Sequence, residues 1–333
     1  MDEQGQRRQC WRFATQERAI IEHLKLIPAK TKYLAVEECG LGRWIAQVAK
    51  PHVTEVVVCD PRHNSSISRH HHKCDEEDSY GLARLYRLGD LKAVWQPKDQ
   101  SRAVFKCAVQ SYLDAVQRQT ALKLQIKAHF RQWGVIPLGS SVYSRRGRET
   151  YLNELKEEGV RQQQRLLYEL LDGALENESK ARRLMIQQGK HFAEIDLLQS
   201  VPGVGRIGAH LFCAYIQEPA RFEKPSQLYR YCRLGIRDRS SDNKPLGYQQ
   251  LDRNGHGVLK AMTYRAWLVA MRLKKGPIYQ FYLASLKRSG NEVHARLNTQ
   301  RKVLITLWTM WKNNATFDSA KLFGTQAQLT ATA

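Results

Sequence analysis

Two short apolar runs, Tyr33-Leu-Ala-Val-Glu37 and Glu55-Val-Val-Val-Cys59, constrain the fold of this chain more than any other feature. Both are rich in strand formers and bounded by turn or polar residues, which reads as β-strand. The segment Gly42 to Ala49 between them suits a short helix. Strand, helix and strand with short connections predict parallel pairing, and so an α/β domain over residues 1–98. Beyond Asp75 the periodicity turns helical: Leu82, Leu85, Tyr86 and Leu88 share a face, ended by Gly89. Residues 99–134 place Val104, Ala108, Tyr112, Ala115 and Leu122 on one helical face, and Pro137–Arg148 reads as a loop or hinge. The polar, Glu/Gln/Arg-rich stretch 149–193, with sparse leucines, predicts a coiled-coil or spacer hairpin broken near Gly173. A compact helical domain is expected from Leu197 to Phe323, interrupted by a loop at Arg237–Gly255. The predicted divisions are 1–98, a helical and coiled-coil spacer over 99–196, a helical domain over 197–324 and a tail over 325–333.

Charge narrows the function. The 333 residues carry 53 Lys and Arg against 32 Asp and Glu, a formal net charge of +21. With 42% hydrophobic residues the chain can bury real cores, which excludes a disordered basic tail. No apolar run approaches the ~18 residues of a membrane span. The seven cysteines are scattered and form no C-x-x-C pair, which argues for reduced thiols in the cytoplasm. A polyanionic partner is the expectation, with nucleic acid first. Between Arg265 and Lys312 stand ten basic residues and one acid, Glu292, interleaved with Tyr264, Trp267, Tyr279, Phe281, Tyr282, Trp308 and Trp311. Those aromatics are read as core, and the charge as a phosphate-binding surface whose affinity falls with salt.

Three motifs carry chemistry. Ser200-Val-Pro-Gly203-Val-Gly205-Arg206 has the pattern of a helix–hairpin–helix turn, whose glycines let helix N–H groups approach a phosphate beside Arg206. Glu37 ends an apolar strand, while Asp75 and Asp78 lie three apart on one face at the start of a helix. Carboxylates meeting from a strand end and a helix suit Mg²⁺ or Mn²⁺, although acids at a helix N-terminus also favour the macrodipole alone. In Arg237-Asp-Arg239-Ser240-Ser241-Asp-Asn-Lys244, a functional serine would attack phosphorus while Arg237, Arg239 or Lys244 screens the phosphate charge. His70-His71-His72 with Cys74 resembles a metal tract only superficially, because no second cluster lies at ligand spacing.

In order, these pieces resemble the DEDD transposases and invertases typified by the Piv/MooV DNA invertase. Glu37-Glu-Cys-Gly40 is similar to that family's Glu-x-x-Gly, and Val58-Cys-Asp60-Pro61 to its Asn/Asp-Pro turn. Lys73-Cys-Asp75-Glu-Glu-Asp78-Ser resembles its Lys-x-Asp-x-x-Asp-Ala element. Ser200-Val-Pro-Gly-Val-Gly and Asn254-Gly255-His256-Gly-Val-Leu-Lys260 are similar to its later turn and basic segment. The resemblance implies an insertion-sequence transposase with a RuvC-like (RNase H-like) N-terminal domain, a helical spacer and a serine-bearing helical C-terminal domain. It implies that Glu37, Asp75 and Asp78 are the second, third and fourth metal-binding carboxylates, with Ser241 the nucleophile that joins covalently to DNA. Asp242 follows where the family has glycine, so Ser240 is the alternative nucleophile. The first carboxylate belongs to an Ile-Gly-Ile-Asp type of strand, absent before Met1-Asp2, so truncation is expected. Implied partners are DNA, in some members a structured guide RNA, and further copies of the chain as a dimer or tetramer. The rival readings are a non-catalytic nucleic-acid-binding remnant and a structure-specific, Mg²⁺-dependent nuclease.

Overall fold

The computed structural model describes residues 1–61, 74–97, 99–241 and 244–323, without the side chains of 238–241 and 244–249. The chain divides into two compact units, Met1–Lys98 and Asp99–Ala333.

In the first unit a helix α1 (Glu17–Leu26) precedes strand β1 (Tyr33–Glu37), helix α2 (Gly42–Ala49), strand β2 (Glu55–Cys59) and helix α3 (Asp75–Leu88). The two strands pair in parallel as their composition predicts, Tyr33 opposite Glu55 and Glu37 opposite Cys59. Ala93 adds an antiparallel bridge to Cys59, with Val94 N–H donating to the Val58 carbonyl at 2.7 Å. α3 stops at Gly89, whose φ of 74° turns its N–H back to the Leu85 and Tyr86 carbonyls. Among the described residues of this unit the buried hydrophobic side chains are Ile20, Ala49, Val58 and Cys59.

The second unit begins with a pair of long helices. α4 (Gln100–Gln132) is capped by Asp99, whose carboxylate accepts from the Ser101 N–H at 2.8 Å. A short helix α5 (Arg145–Glu154) leads into α6 (Glu158–Gly189). α6 returns antiparallel along α4, since Phe105 and Val109 share a core with Met185 while Ile126 and Phe130 share another with Tyr168 and Leu171. The expected break near Gly173 does not occur. A glycine in an exposed helix interior costs only about 1 kcal/mol, too little to end a helix of 32 residues. The chain turns instead between α5 and α6, where buried Leu155 pins the corner. The expected hinge at Pro137–Arg148 also contains a 3-10 turn, Ser141–Tyr143, and the start of α5. Arg148 fixes that corner by a fork to Asp172, both contacts 2.6 Å.

The helical domain that follows comprises α7 (Glu194–Leu198), α8 (Gly205–Ile216), α9 (Pro225–Tyr231), α10 (Gly257–Leu273), α11 (Pro277–Ser289) and α12 (Glu292–Lys312). α8 is central, buried continuously from Gly208 to Ile216. Asn291 caps α12 by accepting from the Val293 and His294 N–H groups. The region expected to be a loop is a β-hairpin of β3 (Ile236–Ser241) and β4 (Lys244–Leu251), with an irregularity between Asp238 and Ser240. Of the aromatics, Trp308 and Tyr282 are buried and Trp308 Nε1–H donates to the Pro219 carbonyl. Tyr264 is 37% exposed, so the core reading holds for part of the set. None of the seven cysteines is in a disulfide. Among the described residues no helix is long and apolar enough to cross a membrane.

Candidate nucleic-acid interface

The glycine turn joins α7 to α8. Leu198, Val201 and Val204 bury themselves in the core and leave Gly203 and Gly205 in the left-handed region, at φ 79° and 59°. A Cβ at Gly203 would lie 2.8 Å from the Ala266 carbonyl oxygen, so this glycine lets the turn approach the α10 backbone. Gly205 faces open space. Arg206 is exposed on the first turn of α8, and its carbonyl lies 2.8 Å from His210 Nδ1. His210 is 2% exposed, and burial holds its pKa below the ordinary histidine value.

The serine segment lies at the end of the β3–β4 hairpin. Ser241 pairs with Lys244 and Ser240 with Pro245. Arg237 is exposed near the foot, opposite Gln250. The side chains of Arg239, Ser240, Ser241 and Lys244 lie outside the described set, as do Asp242 and Asn243 entirely. At the foot, Asp252 N–H donates to the Gly235 carbonyl, and Arg301 Nε–H to that of Leu234. His256, which opens α10, packs against the rings of Tyr215 and Tyr231 at 5.2 and 5.0 Å.

The carboxylates predicted to bind metal belong to the first unit. Glu37 ends β1 and is exposed. Gly42 packs on it: a Cβ there would stand 2.4 Å from the Glu37 carbonyl oxygen, whereas Gly40, which the sequence singled out, meets nothing. The clue to Gly42 is its place at the first position of α2 after the strand end. Asp75 and Asp78 occupy the first turn of α3. Asp75 is 3.6 Å from Arg12, and neighbouring Glu77 takes a two-pronged contact from Arg7, which raises the Arg7 pKa. Asp2 serves a local turn, accepting from the Gln4 and Gln6 N–H groups and from Arg8. Among the described residues no three His, Cys, Asp or Glu side chains gather to hold a metal ion. As arranged here, Glu37, Asp75 and Asp78 therefore do not form a metal cage of the kind Mg²⁺ requires. His70, His71 and His72 lie outside the described residues.

Residues 195–283 match the family described as Transposase IS116/IS110/IS902 family. The match begins in α7 and ends within α11, so it takes in the glycine turn, the serine hairpin and the start of α10. Glu37, Asp75 and Asp78 lie outside it. The chain is also 25% identical over 233 residues to "Putative transposase y4qE" of Sinorhizobium fredii (strain NBRC 101917 / NGR234). That alignment covers 68% of this chain and 56% of the relative, so the chain spans little more than half of the relative's length. Both likenesses support one class, the insertion-sequence transposases.

Proposed function

We propose that this chain is an insertion-sequence transposase acting on DNA in the cytoplasm. The observation that carries this reading is the family match over 195–283, which contains both the glycine turn and the serine hairpin. On this reading the serine of β3 is the nucleophile, Ser241 by its offset from Asn254-Gly255-His256, with Ser240 the alternative. Its oxygen bonds to phosphorus, the phosphorus–oxygen bond to the leaving sugar breaks, and that oxygen takes up the proton the serine gives up. Reversal with a different sugar hydroxyl rejoins the strand. Arg237, Arg239 and Lys244 screen the phosphate charge during both steps. The first unit is a RuvC-like (RNase H-like) piece whose Glu37, Asp75 and Asp78 would hold Mg²⁺ or Mn²⁺ once a rearrangement gathers them. The chain acts as a dimer or tetramer, in some settings with a structured guide RNA.

The test is covalent trapping. End-labelled DNA carrying the element's ends, incubated with protein and Mg²⁺ and then denatured, should yield a protein-linked band. Ser241→Ala should remove that band without weakening DNA binding, and Ser240→Ala should retain it. Retention in Ser241→Ala with loss in Ser240→Ala moves the nucleophile by one residue. Cleavage without any adduct favours a water-using nuclease. A second reading, a nucleic-acid-binding protein without catalysis, draws on the dispersed carboxylates. Tight DNA binding with neither cleavage nor adduct selects it.

A further inference from the structure

α10 carries Gly257, Lys260, Tyr264 and Trp267 at intervals of three and four residues, one stripe down one face. Three cations stand along that stripe. Arg233 precedes the hairpin, and its Nη1 lies 3.2 Å from where a Cβ on Gly257 would be. It holds this position at a φ of 56°, rare for a residue with a side chain, while its Nε–H donates to the Gly255 carbonyl at 2.7 Å. Lys260 follows on the next turn, half-buried, with its carbonyl accepting from Gln300 Nε2 of α12. Arg296 reaches over from α12, its guanidinium 5.7 and 5.8 Å from the Tyr264 and Trp267 ring centres. Among the described residues none of the three joins an ion pair, and Glu292, one turn before Arg296, does not pair with it. Burial, with Arg296 and Arg233 nearby, lowers the Lys260 pKa, so Lys260 feels the charge of both arginines. Like charges brought near one another, with Lys260 and Arg296 partly out of water, oppose their own proximity. An anion entering among them removes that opposition, whereas the φ of Arg233 belongs to the left-handed cap that ends α9, where Leu234 N–H donates to the Tyr229 carbonyl.

We propose that Arg233, Lys260 and Arg296, at the foot of the β3–β4 hairpin, form a binding site for a phosphodiester group of duplex DNA. The site rests on the transposase reading only for the source of the phosphate. Ser241 is five residues along β3 from Ile236, so the strand carries it at most ~17 Å from that residue at ~3.3 Å per residue. The site acts as a clamp beside the cut, separate from the attacking group.

The experiment uses the full chain, Lys260→Gln, Arg296→Gln, and Lys180→Gln as control, since Lys180 already pairs with Glu176. In the first arm inorganic phosphate replaces chloride at constant ionic strength while thermal unfolding is followed. The wild-type and control midpoints should rise with phosphate, and the two site variants should lose at least half of that rise. An equal rise in all four proteins is a general salt effect and overturns the site. In the second arm duplex DNA affinity is measured across salt concentrations. Each site variant should reduce the log–log slope by ~0.9, the increment for one duplex phosphate contact. An unchanged slope on duplex, or a change seen only with structured RNA, overturns the DNA assignment. If the wild-type chain binds no duplex at all, the transposase reading fails, and the phosphate arm decides the site by itself.

Discussion

Replacing Gly203 with alanine separates two reasons for having a glycine in the α7–α8 turn. An L-residue held in the left-handed region costs about 1–2 kcal/mol. The added Cβ would stand 2.8 Å from the Ala266 carbonyl oxygen and 3.0 Å from its Cα, both backbone atoms of α10 that cannot swing aside. Forcing a methyl group into such a contact costs about 1–3 kcal/mol more. Alanine recovers about 0.4–1 kcal/mol by restricting the unfolded chain. The net loss expected for Gly203→Ala is therefore about 1.5–4 kcal/mol. Gly205→Ala shares the backbone cost, since its φ is 59°, yet meets nothing within 4 Å. Its net loss should stay near ~1 kcal/mol. Urea unfolding followed by far-ultraviolet circular dichroism reads the difference. With a slope of about 2 kcal/mol per molar, Gly203→Ala should lower the midpoint by ~1–2 M and Gly205→Ala by ~0.5 M. Equal midpoints for the two variants would refute the packing argument. A Gly203→Ala protein of wild-type stability with weakened DNA binding would instead show that the glycine serves the phosphate, as the motif first suggests.

Three further outcomes follow from contacts elsewhere. His210 is buried with its pKa held below the usual value, so the unfolded chain binds its proton first as pH falls. Stability attributable to His210 should be complete above about pH 6.5 and decline below it, and His210→Gln should flatten that part of the pH–stability curve. Glu194, 13% exposed, accepts from Arg102 at 2.8 Å and from Cys213 Sγ at 3.3 Å. Glu194→Ala strands a partly buried guanidinium and should cost about 3 kcal/mol by urea titration, whereas Arg102→Met with Glu194→Leu should recover most of it. Gly42→Ala must displace the Glu37 carbonyl, and should destabilise the first unit by about 1–3 kcal/mol, visible as faster amide exchange in residues 33–37.

The parallel strand pair was legible because Val56, Val57 and Val58 leave little alternative to a strand, and the short helix between the strands dictates the connection. The β3–β4 hairpin was not legible. Arg-Asp-Arg-Ser-Ser offers few strand formers, and its pairing rests on backbone hydrogen bonds that no side-chain pattern announces. Gly173 misled in the other direction, since a glycine in open space on a long, well-packed helix costs too little to break it. For the candidate site, the sequence located Glu37, Asp75 and Asp78 within their elements, and it placed the serine segment in a loop where the structure has a hairpin. It had no means of knowing that Arg7 and Arg12 turn to the α3 acids. Lys260 was visible within a motif, but the cations that join it come from distant points of the chain, Arg233 and Arg296.

The α4–α6 pair has one further consequence. At 33 residues and ~1.5 Å per residue, α4 is ~50 Å long. Its two ends are gripped by different cores, one around Phe105, Val109 and Met185, the other around Ile126, Phe130, Tyr168 and Leu171. Between them Ala115, Ala121, Gly173 and Ala174, with larger neighbours such as Arg118, Leu122 and Leu170, line an open cleft. In mechanical terms this is a beam clamped at both ends and compliant at mid-span. An ordinary helical hairpin frays from its tips inward, but this one should loosen from the centre, with amide exchange fastest near Ala115 and Gly173. Bending strain applied at one end would then be absorbed at mid-span before it reached the other clamp.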